Sequence, residues 1–183
     1  MIRKFETSDW VPYPVELVFA FFATPSNLPH LMPPELQTRV EDVRLQPPPP
    51  RPMAPDPARR FKSVAAGVGS EILVSFYPVK WVPQRVSWTA RIVEFEWNSH
   101  FLDEQIRGPF AKFRHRHGIV GETRDAVEGT QVTDAIEYAL PGGIFGNLAA
   151  ASVWDQLAKS FEFRQKRLPE ILAIASRQAV QRG

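Results

Sequence analysis

The sequence contains no cysteine. This absence excludes disulfides, thiolate metal ligands and a cysteine nucleophile. No stretch approaches the roughly 18 to 20 consecutive apolar residues of a membrane span, so we expect no integral membrane segment. The first six residues carry charges where a secretory signal needs an apolar run. A cytoplasmic location is therefore the expectation.

The sequence also lacks a strong excess of one charge, because its net charge is only +2. The basic residues cluster as Arg107-Lys112-Arg114-Arg116 and as Arg164-Lys166-Arg167. On a strand and on a helix, this spacing is typical of solvated faces. No aromatic stacking residues are interleaved with them on the exposed side, and we expect no nucleic-acid partner.

Proline, by contrast, is abundant, and much of it lies in one run over 47–57. Such a run cannot pair in a sheet and is predicted to be a surface loop. An alternative is that the run acts as an interaction module, because a partner protein can recognise an extended proline-rich segment as a polyproline II helix. A length of 183 residues fits one domain with an ample core, and we take 1–183 as that domain.

The apolar pattern predicts an α+β domain. A strand over 3–9 precedes a helix over 15–23, which Pro14 can begin, and a second short helix over 28–32. Alternation and turn signals, among them Glu128-Gly129, predict six further strands in an antiparallel meander. These strands cover 35–45, 69–79, 85–97, 100–107, 112–120 and 131–140. A long helix follows over 145–178, and Pro169 within it predicts a kink or a break.

The parity of three strands predicts which polar residues face inward. In the strand over 112–120 the charges occupy the even positions, so Phe113, His115 and His117 point to the interior. The same rule places Asp134 and Tyr138 inward on the strand over 131–140. For the strand over 100–107 the context of Phe101 and Gly108-Pro109-Phe110 favours an inward face of Phe101, Asp103 and Gln105.

These inward polar groups allow two interpretations. A buried polar group that stays unpaired costs about 1–3 kcal/mol, so the groups must find partners. They either bond to one another and rigidify the sheet, or they line a cavity and orient the polar end of a ligand.

His115 and His117 are also candidates for chemistry. With Asp103 they form a candidate catalytic set for general acid–base work. Two histidines that are two apart on a strand, with Asp103 or Asp134, could also form a His₂-carboxylate metal set. No helical H-E-x-x-H motif and no cysteine spacing supports a metal, and we predict neither a metal nor a cofactor. No serine stands in a nucleophile-elbow context.

Several segments carry a family resemblance. They are the first helix with Pro14-Val15-Glu16-Leu17-Val18-Phe19, the segment from Phe101 to Phe110, Phe113-Arg114-His115-Arg116-His117, the segment from Gly129 to Asp134, and Tyr138-Ala139-Leu140-Pro141. In these segments the chain resembles the SRPBCC superfamily, which includes START lipid-transfer domains and polyketide cyclase/dehydrase-like proteins, and most of all its bacterial ligand-binding branch. Two departures are the length of the loop over 47–57 and Phe113, which stands where tryptophan is expected.

The resemblance implies a helix-grip fold. In this fold a curved antiparallel sheet wraps around a long C-terminal helix, two short helices follow the first strand, and a cavity lies between sheet and helix. It also supports the inward assignment of Asp103 and Gln105.

We therefore expect a protein that binds or carries a hydrophobic or amphipathic small molecule, such as a lipid, a quinone or a polyketide-like compound. The alternative is a cyclase or dehydratase-type enzyme that uses His115 or His117 as acid or base, and we favour the binding protein. The sequence does not determine the oligomeric state, and a homodimer is one alternative. The expected ligand-contacting residues are Phe19, Phe22, Trp88, Phe101, Asp103, Gln105, Phe110, Phe113, His115, His117, Asp134, Tyr138, Trp154, Leu157 and Phe161.

Overall fold

Seven antiparallel strands form one sheet in the computed structural model, which describes residues 1–53, 61, 63–78, 84–142 and 150–180. The strand order across the sheet is β1-β7-β6-β5-β4-β3-β2. The first strand therefore pairs with the last one, and the other neighbours follow one another in the chain. The strands are β1 (Arg3–Val11), β2 (Arg39–Arg44), β3 (Glu71–Phe76), β4 (Val86–Glu96), β5 (His100–Arg107), β6 (Lys112–Arg124) and β7 (Val127–Ala139).

Two α-helices accompany this sheet. Helix α1 (Val15–Phe22) follows β1, and helix α2 (Ala150–Val180) follows β7. Two 3₁₀ helices, Pro25–Leu31 and Pro34–Leu36, come after α1. The predicted second short helix is thus a 3₁₀ helix, since Pro29 inside it lacks the N–H that an α-helix would use. Among the described residues no helix is long and apolar enough to cross a membrane.

The core lies between the sheet and α2, in two clusters. The first cluster surrounds α1 and contains Val18, Phe19, Ile119 and Leu168 among its most buried members. The second cluster lies towards the start of α2; its buried members are Phe5, Phe113, Ile136, Tyr138 and Phe161. Together these observations confirm the predicted helix-grip arrangement.

The hairpin between β6 and β7 differs from the prediction. Glu128-Gly129 is not a turn but lies inside β7, paired with Thr123 and Glu122 of β6. The turn is formed by Asp125 and Ala126, whose φ angles of 48° and 61° lie in the left-handed region. A two-residue hairpin turn of type I′ requires this conformation at both positions.

Of the kink or break predicted at Pro169, the break does not occur, because helix α2 runs unbroken through this residue. The carbonyl of Pro169 accepts a hydrogen bond of 3.2 Å from the Tyr13 hydroxyl, which fastens this part of the helix to the loop before α1. Residues 145–149 of the predicted helix, residue 79 of a predicted strand and residues 54–57 of the proline-rich loop lie outside the described residues.

The described part of the proline-rich segment lies against the domain. The indole Nε1 of Trp97 donates to the Pro49 carbonyl at 2.8 Å. Arg51 donates to the Glu16 carbonyl at 3.0 Å, and its guanidinium lies 4.9 Å from the centroid of the Trp97 ring. A concavity of about 540 Å³ lies between this segment and Trp97.

Candidate functional site

Four polar side chains from three adjacent strands meet on the inner face of the sheet. The strand register sets His115 of β6 directly across from Asp103 of β5, and His117 of β6 across from Asp134 of β7. The hydrogen bonds follow the diagonals. His115 Nε2 lies 2.8 Å from Asp134 Oδ1, and His117 Nε2 lies 3.0 Å from Asp103 Oδ2. Diagonal neighbours on one sheet face are within reach of long side chains, so the register alone brings the four together.

A fifth member comes from α2. Arg164 donates from Nη1 to Asp134 Oδ1 at 3.0 Å and from Nη2 to Asp134 Oδ2, and is only 7% exposed. Its guanidinium lies over the rings of Phe161 and Phe22, at 4.3 Å and 5.4 Å from their centroids. We call Asp103, His115, His117, Asp134 and Arg164 the polar network.

The prediction that Arg164 lies on a solvated face was wrong. The signal that could have identified it is helical spacing. Arg164 lies three residues after Phe161 and four before Leu168, on the stripe that α2 buries.

Aromatic rings enclose the polar network. Phe101 stacks on the His117 imidazole at 4.2 Å with an interplanar angle of 18°, and the two imidazoles lie 3.7 Å apart. Phe161 approaches His115 edge-on at 5.8 Å. Asp134 and Arg164 are buried, whereas the side chains of Asp103, His115 and His117 keep 12–13% of their surface exposed. In this largely buried setting the charges interact more strongly than they would on the surface.

The polar network shifts the pKa values of its members in different directions. Burial opposes the ionised form of Asp134, but the charge of Arg164, the hydrogen bond from His115 and the nearby His117 outweigh it and hold the pKa of Asp134 well below its usual range. Burial and the nearby charge of His117 lower the pKa of His115. For His117, burial is outweighed by the hydrogen bond with Asp103 and by the carboxylate of Asp134 at 3.4 Å, which together raise its pKa. The pKa of His117 therefore lies above that of His115, and His117 is the imidazole that is protonated first.

A cation is one further group that these residues could hold. Ligand atoms of Asp103, His115 and His117 lie within 4.8 Å of one another. The spacings of 2.8 and 3.0 Å between imidazole nitrogens and carboxylate oxygens are those of hydrogen bonds. The arrangement as it stands is a hydrogen-bonded network.

Gln105 lies away from the network. Its side-chain amide nitrogen donates to the Phe110 carbonyl at 2.8 Å, and its amide oxygen accepts from the Phe110 N–H at 3.3 Å. The residue closes the turn between β5 and β6 and thereby positions Phe110.

The second core cluster adjoins the polar network. Phe113 lies 6.4 Å from His115, and the Trp88 ring packs against Phe113 at 4.4 Å. Phe110 lies 5.9 Å from both Trp88 and Tyr138. Leu157 of α2 packs against this cluster. Phe19, in contrast, belongs to the first cluster and contacts Phe95, Trp97 and Phe101.

A concavity of about 650 Å³ opens beside the second cluster, where α2 begins. Tyr138 borders it and is also part of the cluster. Trp154 lines its outer side, is 49% exposed and meets Phe5 edge-on at 5.9 Å. Such a volume is within the usual range for small-molecule sites. Its lining residues are Met1, Ile2, Arg3, Lys4, Tyr138, Ala150, Ala151, Trp154 and Asp155.

Solved structures resemble this fold at low sequence identity. The protein TTHA0849 from Thermus thermophilus matches with a TM-score of 0.58 and 20% identity, over 95% of this chain and 99% of that chain. Ara h 8.0201 matches with a TM-score of 0.55 and 11% identity, over 91% of this chain and 97% of that one. Norcoclaurine synthase from Thalictrum flavum, in complex with dopamine and hydroxybenzaldehyde, matches with a TM-score of 0.56 and 12% identity, over 93% and 88% of the two chains.

A comparison with curated protein sequences finds no match. The profile of one family, described as polyketide cyclase / dehydrase and lipid transport, matches residues 11–162. This range contains most of the sheet and four of the five members of the polar network, and it confirms the SRPBCC resemblance. The chain belongs to the polyketide cyclase / dehydrase and lipid transport family.

Proposed function

We propose that this protein binds a hydrophobic or amphipathic small molecule between the inner face of the sheet and α2. The observation that carries the proposal is a buried polar network beside an aromatic cluster that borders an open concavity. Apolar walls with a few convergent polar groups are typical of small-molecule sites. A lipid, a quinone or a polyketide-like compound fits this combination.

His115 offers one specific contact for the polar end of such a ligand. Asp134 is ionised and can only accept, so the proton between them belongs to His115 Nε2. In a neutral imidazole the other nitrogen is then an acceptor. His115 Nδ1 forms no hydrogen bond among the described residues. A hydroxyl of the ligand would donate to it.

The family supports this proposal, since its description includes lipid transport. The structure of norcoclaurine synthase contains two small aromatic ligands, dopamine and hydroxybenzaldehyde, which belong to that protein. For this chain, they support only the general idea that a fold of this shape accommodates small molecules.

A second candidate function is acid–base catalysis. The observation that favours it is the opposite direction of the pKa shifts of His115 and His117. A pair of titratable groups with separated pKa values suits the roles of base and acid. His115 would accept a proton at Nδ1 while Asp134 holds its orientation. Replacement of either histidine by glutamine would then abolish turnover of an identified substrate, whereas a pure binding protein has no turnover to lose.

Native mass spectrometry of the purified protein tests the binding proposal. We expect an adduct of low mass that denaturation releases, and we expect the stripped protein to bind the apolar dye 1-anilinonaphthalene-8-sulfonate. Ala151 is exposed and lines the concavity, so Ala151→Trp should fill the opening and weaken dye binding by about tenfold, equivalent to about 1.4 kcal/mol.

Ser152→Trp is the matched control. Ser152 is exposed on the same turn of α2 but does not line the concavity. This variant should bind the dye as the wild type does. If neither an adduct nor dye binding is found, the proposal is wrong.

A further inference from the structure

We propose that Asp103, His115 and His117 bind one divalent transition-metal ion such as Zn²⁺, and that Asp134 and Arg164 position the two imidazoles without touching the ion. A cation site goes beyond the proposed function, because the binding of an apolar molecule does not require it. The sequence-based expectation of no metal rested on ligand spacing along the chain, which does not reveal side chains that strand pairing brings together.

The three proposed ligands form a compact set of donor atoms. One ligand atom from each of Asp103, His115 and His117 lies within 4.8 Å of the other two. His117 Nε2 and Asp103 Oδ2 are 3.0 Å apart. A metal bonds imidazole nitrogen and carboxylate oxygen at about 2.0–2.2 Å, so neighbouring ligand atoms around one ion lie about 3 Å apart. Small side-chain rotations would therefore bring the three atoms onto one ion, which would replace the proton between His117 and Asp103.

The buried carboxylate of Asp134 orients both imidazoles for this role. His115 Nε2 donates to Asp134 Oδ1 at 2.8 Å, so Nδ1 of the neutral ring carries the lone pair that a metal needs. His117 Nδ1 is buried without a hydrogen bond and lies 3.4 Å from the same oxygen, while its Nε2 faces Asp103. Metal-bound histidines usually donate their second N–H to such a carboxylate, which fixes the tautomer and the ring orientation.

The charges around the site also suit a cation. Arg164 is bonded to both oxygens of Asp134, so these two buried charges offset each other. The carboxylate of Asp103 lies 3.0 Å from His117 and is the negative charge that this pair leaves over. Asp103 and the two imidazoles are only partly buried, so an ion from solution can reach them.

The donor set defines the class of ion. Two imidazoles and one carboxylate, without a thiolate, suit Zn²⁺ and its neighbours Co²⁺ and Ni²⁺, whereas Mg²⁺ and Ca²⁺ prefer oxygen ligands alone. Three protein ligands leave a coordination position open. In the metal-bound protein, the polar end of a bound small molecule would meet this open position and not His115 Nδ1.

Titration of the chelator-treated protein with Zn²⁺ in a calorimeter tests the inference. We expect one ion per chain, and we expect Co²⁺ to bind with a visible absorption spectrum that Zn²⁺ abolishes by displacement. Loss of a second-shell partner typically weakens metal binding by about 10–100-fold, so His115→Gln and His117→Gln should each weaken it by at least about 100-fold. Asp103→Asn keeps a hydrogen-bonding group beside His117 but removes the charged ligand, and should weaken binding by at least about tenfold.

The other two of the four histidines in the chain supply the controls. His30 is exposed on the first 3₁₀ helix, and His100 begins β5 beside Glu94 and Glu96. His30→Gln and His100→Gln should bind Zn²⁺ as the wild type does. If the wild type binds no Zn²⁺, or if the three site variants bind it as tightly as the wild type, the inference is wrong. The binding of the apolar dye decides the proposed function separately.

Thermal melting gives a readout that does not depend on the folding of the histidine variants. A ligand that binds the folded state raises the melting temperature, so an excess of Zn²⁺ should raise it in the wild type and in His30→Gln. The increase should be smaller in Asp103→Asn, whose two imidazoles remain. Equal increases in the wild type and Asp103→Asn would place the ion elsewhere, and no increase in the wild type would mean that the polar network holds only protons. Either result would overturn the inference.

Discussion

The imidazoles of His115 and His117 lie so close together that they cannot have the same affinity for a proton. With ring centroids 3.7 Å apart, two positive charges would repel each other strongly in this water-poor interior. Asp103 and Asp134 lie 3.0 and 3.4 Å from His117, whereas the carboxylate within 4 Å of His115 is that of Asp134, and Asp103 acts on His115 from further away. The imidazole with two carboxylates therefore takes the proton. The pair titrates as one unit, with His117 protonated first.

This protonation makes a testable contribution to stability. The pKa of His117 is raised in the folded state, so its stabilising effect is complete below about pH 6.5, the usual histidine value, and is lost as the pH rises through the folded pKa. His115, with its lowered pKa, is neutral in both states above that pH. We expect the free energy of unfolding, measured with urea, to fall between pH 7 and pH 9 in the wild type and less steeply in His117→Gln.

The same substitution at His30, an exposed residue of the first 3₁₀ helix, is the control for removing a histidine outside the network. His30→Gln should keep the wild-type pH profile between pH 7 and pH 9. Equal profiles for wild type and His117→Gln would mean that His117 is not preferentially protonated by folding.

At the scale of elements, the hairpin of β6 and β7 is the longest pairing in the sheet and carries three members of the polar network. Its turn residues Asp125 and Ala126 both have a positive φ. Ala126 has no side chain that favours this conformation, so the chain adopts it because the two long strands demand it. The cost for a residue with a Cβ atom is roughly 1–2 kcal/mol.

Ala126→Gly should therefore stabilise the protein, because glycine adopts a positive φ without that cost. Part of the gain is offset by the greater freedom of glycine in the unfolded chain, and we expect a net increase of about 0.5–1 kcal/mol in urea unfolding. Ala111→Gly, at an exposed alanine of the β5–β6 connection outside the positive-φ residues, should be neutral or destabilising. A loss of stability in Ala126→Gly would contradict the hairpin geometry.

The same hairpin shows how far the sequence could predict the fold. Strand β5 was predicted with the bounds that the structure has, because turn residues flank it on both sides. The β6–β7 turn was missed because Asp125, a common turn residue, is followed by Ala126, which is not one, while the glycine at 129 suggested a turn. Residue 129 is required to be glycine for a different reason, which is the close approach of neighbouring atoms. A Cβ atom there would lie 2.3 Å from the Trp10 ring and 2.6 Å from the Val11 carbonyl oxygen.

The candidate site, like the hairpin, could be predicted from the sequence only in part. Strand parity correctly places His115, His117 and Asp134 on the inner face, because the period of two is a property of the backbone. It gives no information on which element packs over that face, so Arg164 was missed. Gln105 shares the parity of Asp103 but closes a turn, a role that depends on the Phe110 backbone and not on the strand.

At the scale of the whole molecule, α2 is attached to the rest of the fold by an apolar stripe and by several polar contacts. Leu168 and Leu172 are almost fully buried against the core. Tyr13 donates to the Pro169 carbonyl, and Gln165 donates to Thr7 of β1 at 2.8 Å. The contact between Arg164 and Asp134 differs from these because it joins two buried charges. Among the polar contacts, the attachment of α2 to the sheet therefore depends most on this ion pair.

Arg164→Met tests that dependence, because it keeps the length of the side chain but leaves the carboxylate of Asp134 buried without its cation. Removal of one partner of a buried ion pair typically costs about 3–5 kcal/mol, and we expect a loss of this size in urea unfolding at pH 7. Arg167→Met is the matched control, since Arg167 is exposed on the same helix and pairs with exposed Glu170, so its loss should cost less than about 1 kcal/mol. Asp134→Asn in the Arg164→Met background removes the stranded charge and should restore most of the stability. Loss of Arg164 removes the largest charge that lowers the pKa of Asp134, while burial still raises it, so this pKa should be higher in Arg164→Met than in the wild type. The deficit should therefore shrink as the pH falls from 7 towards 4 and the carboxylate takes up a proton. A deficit that neither low pH nor Asp134→Asn relieves would mean that Arg164 holds α2 through its packing on Phe22 and Phe161 and not through its charge.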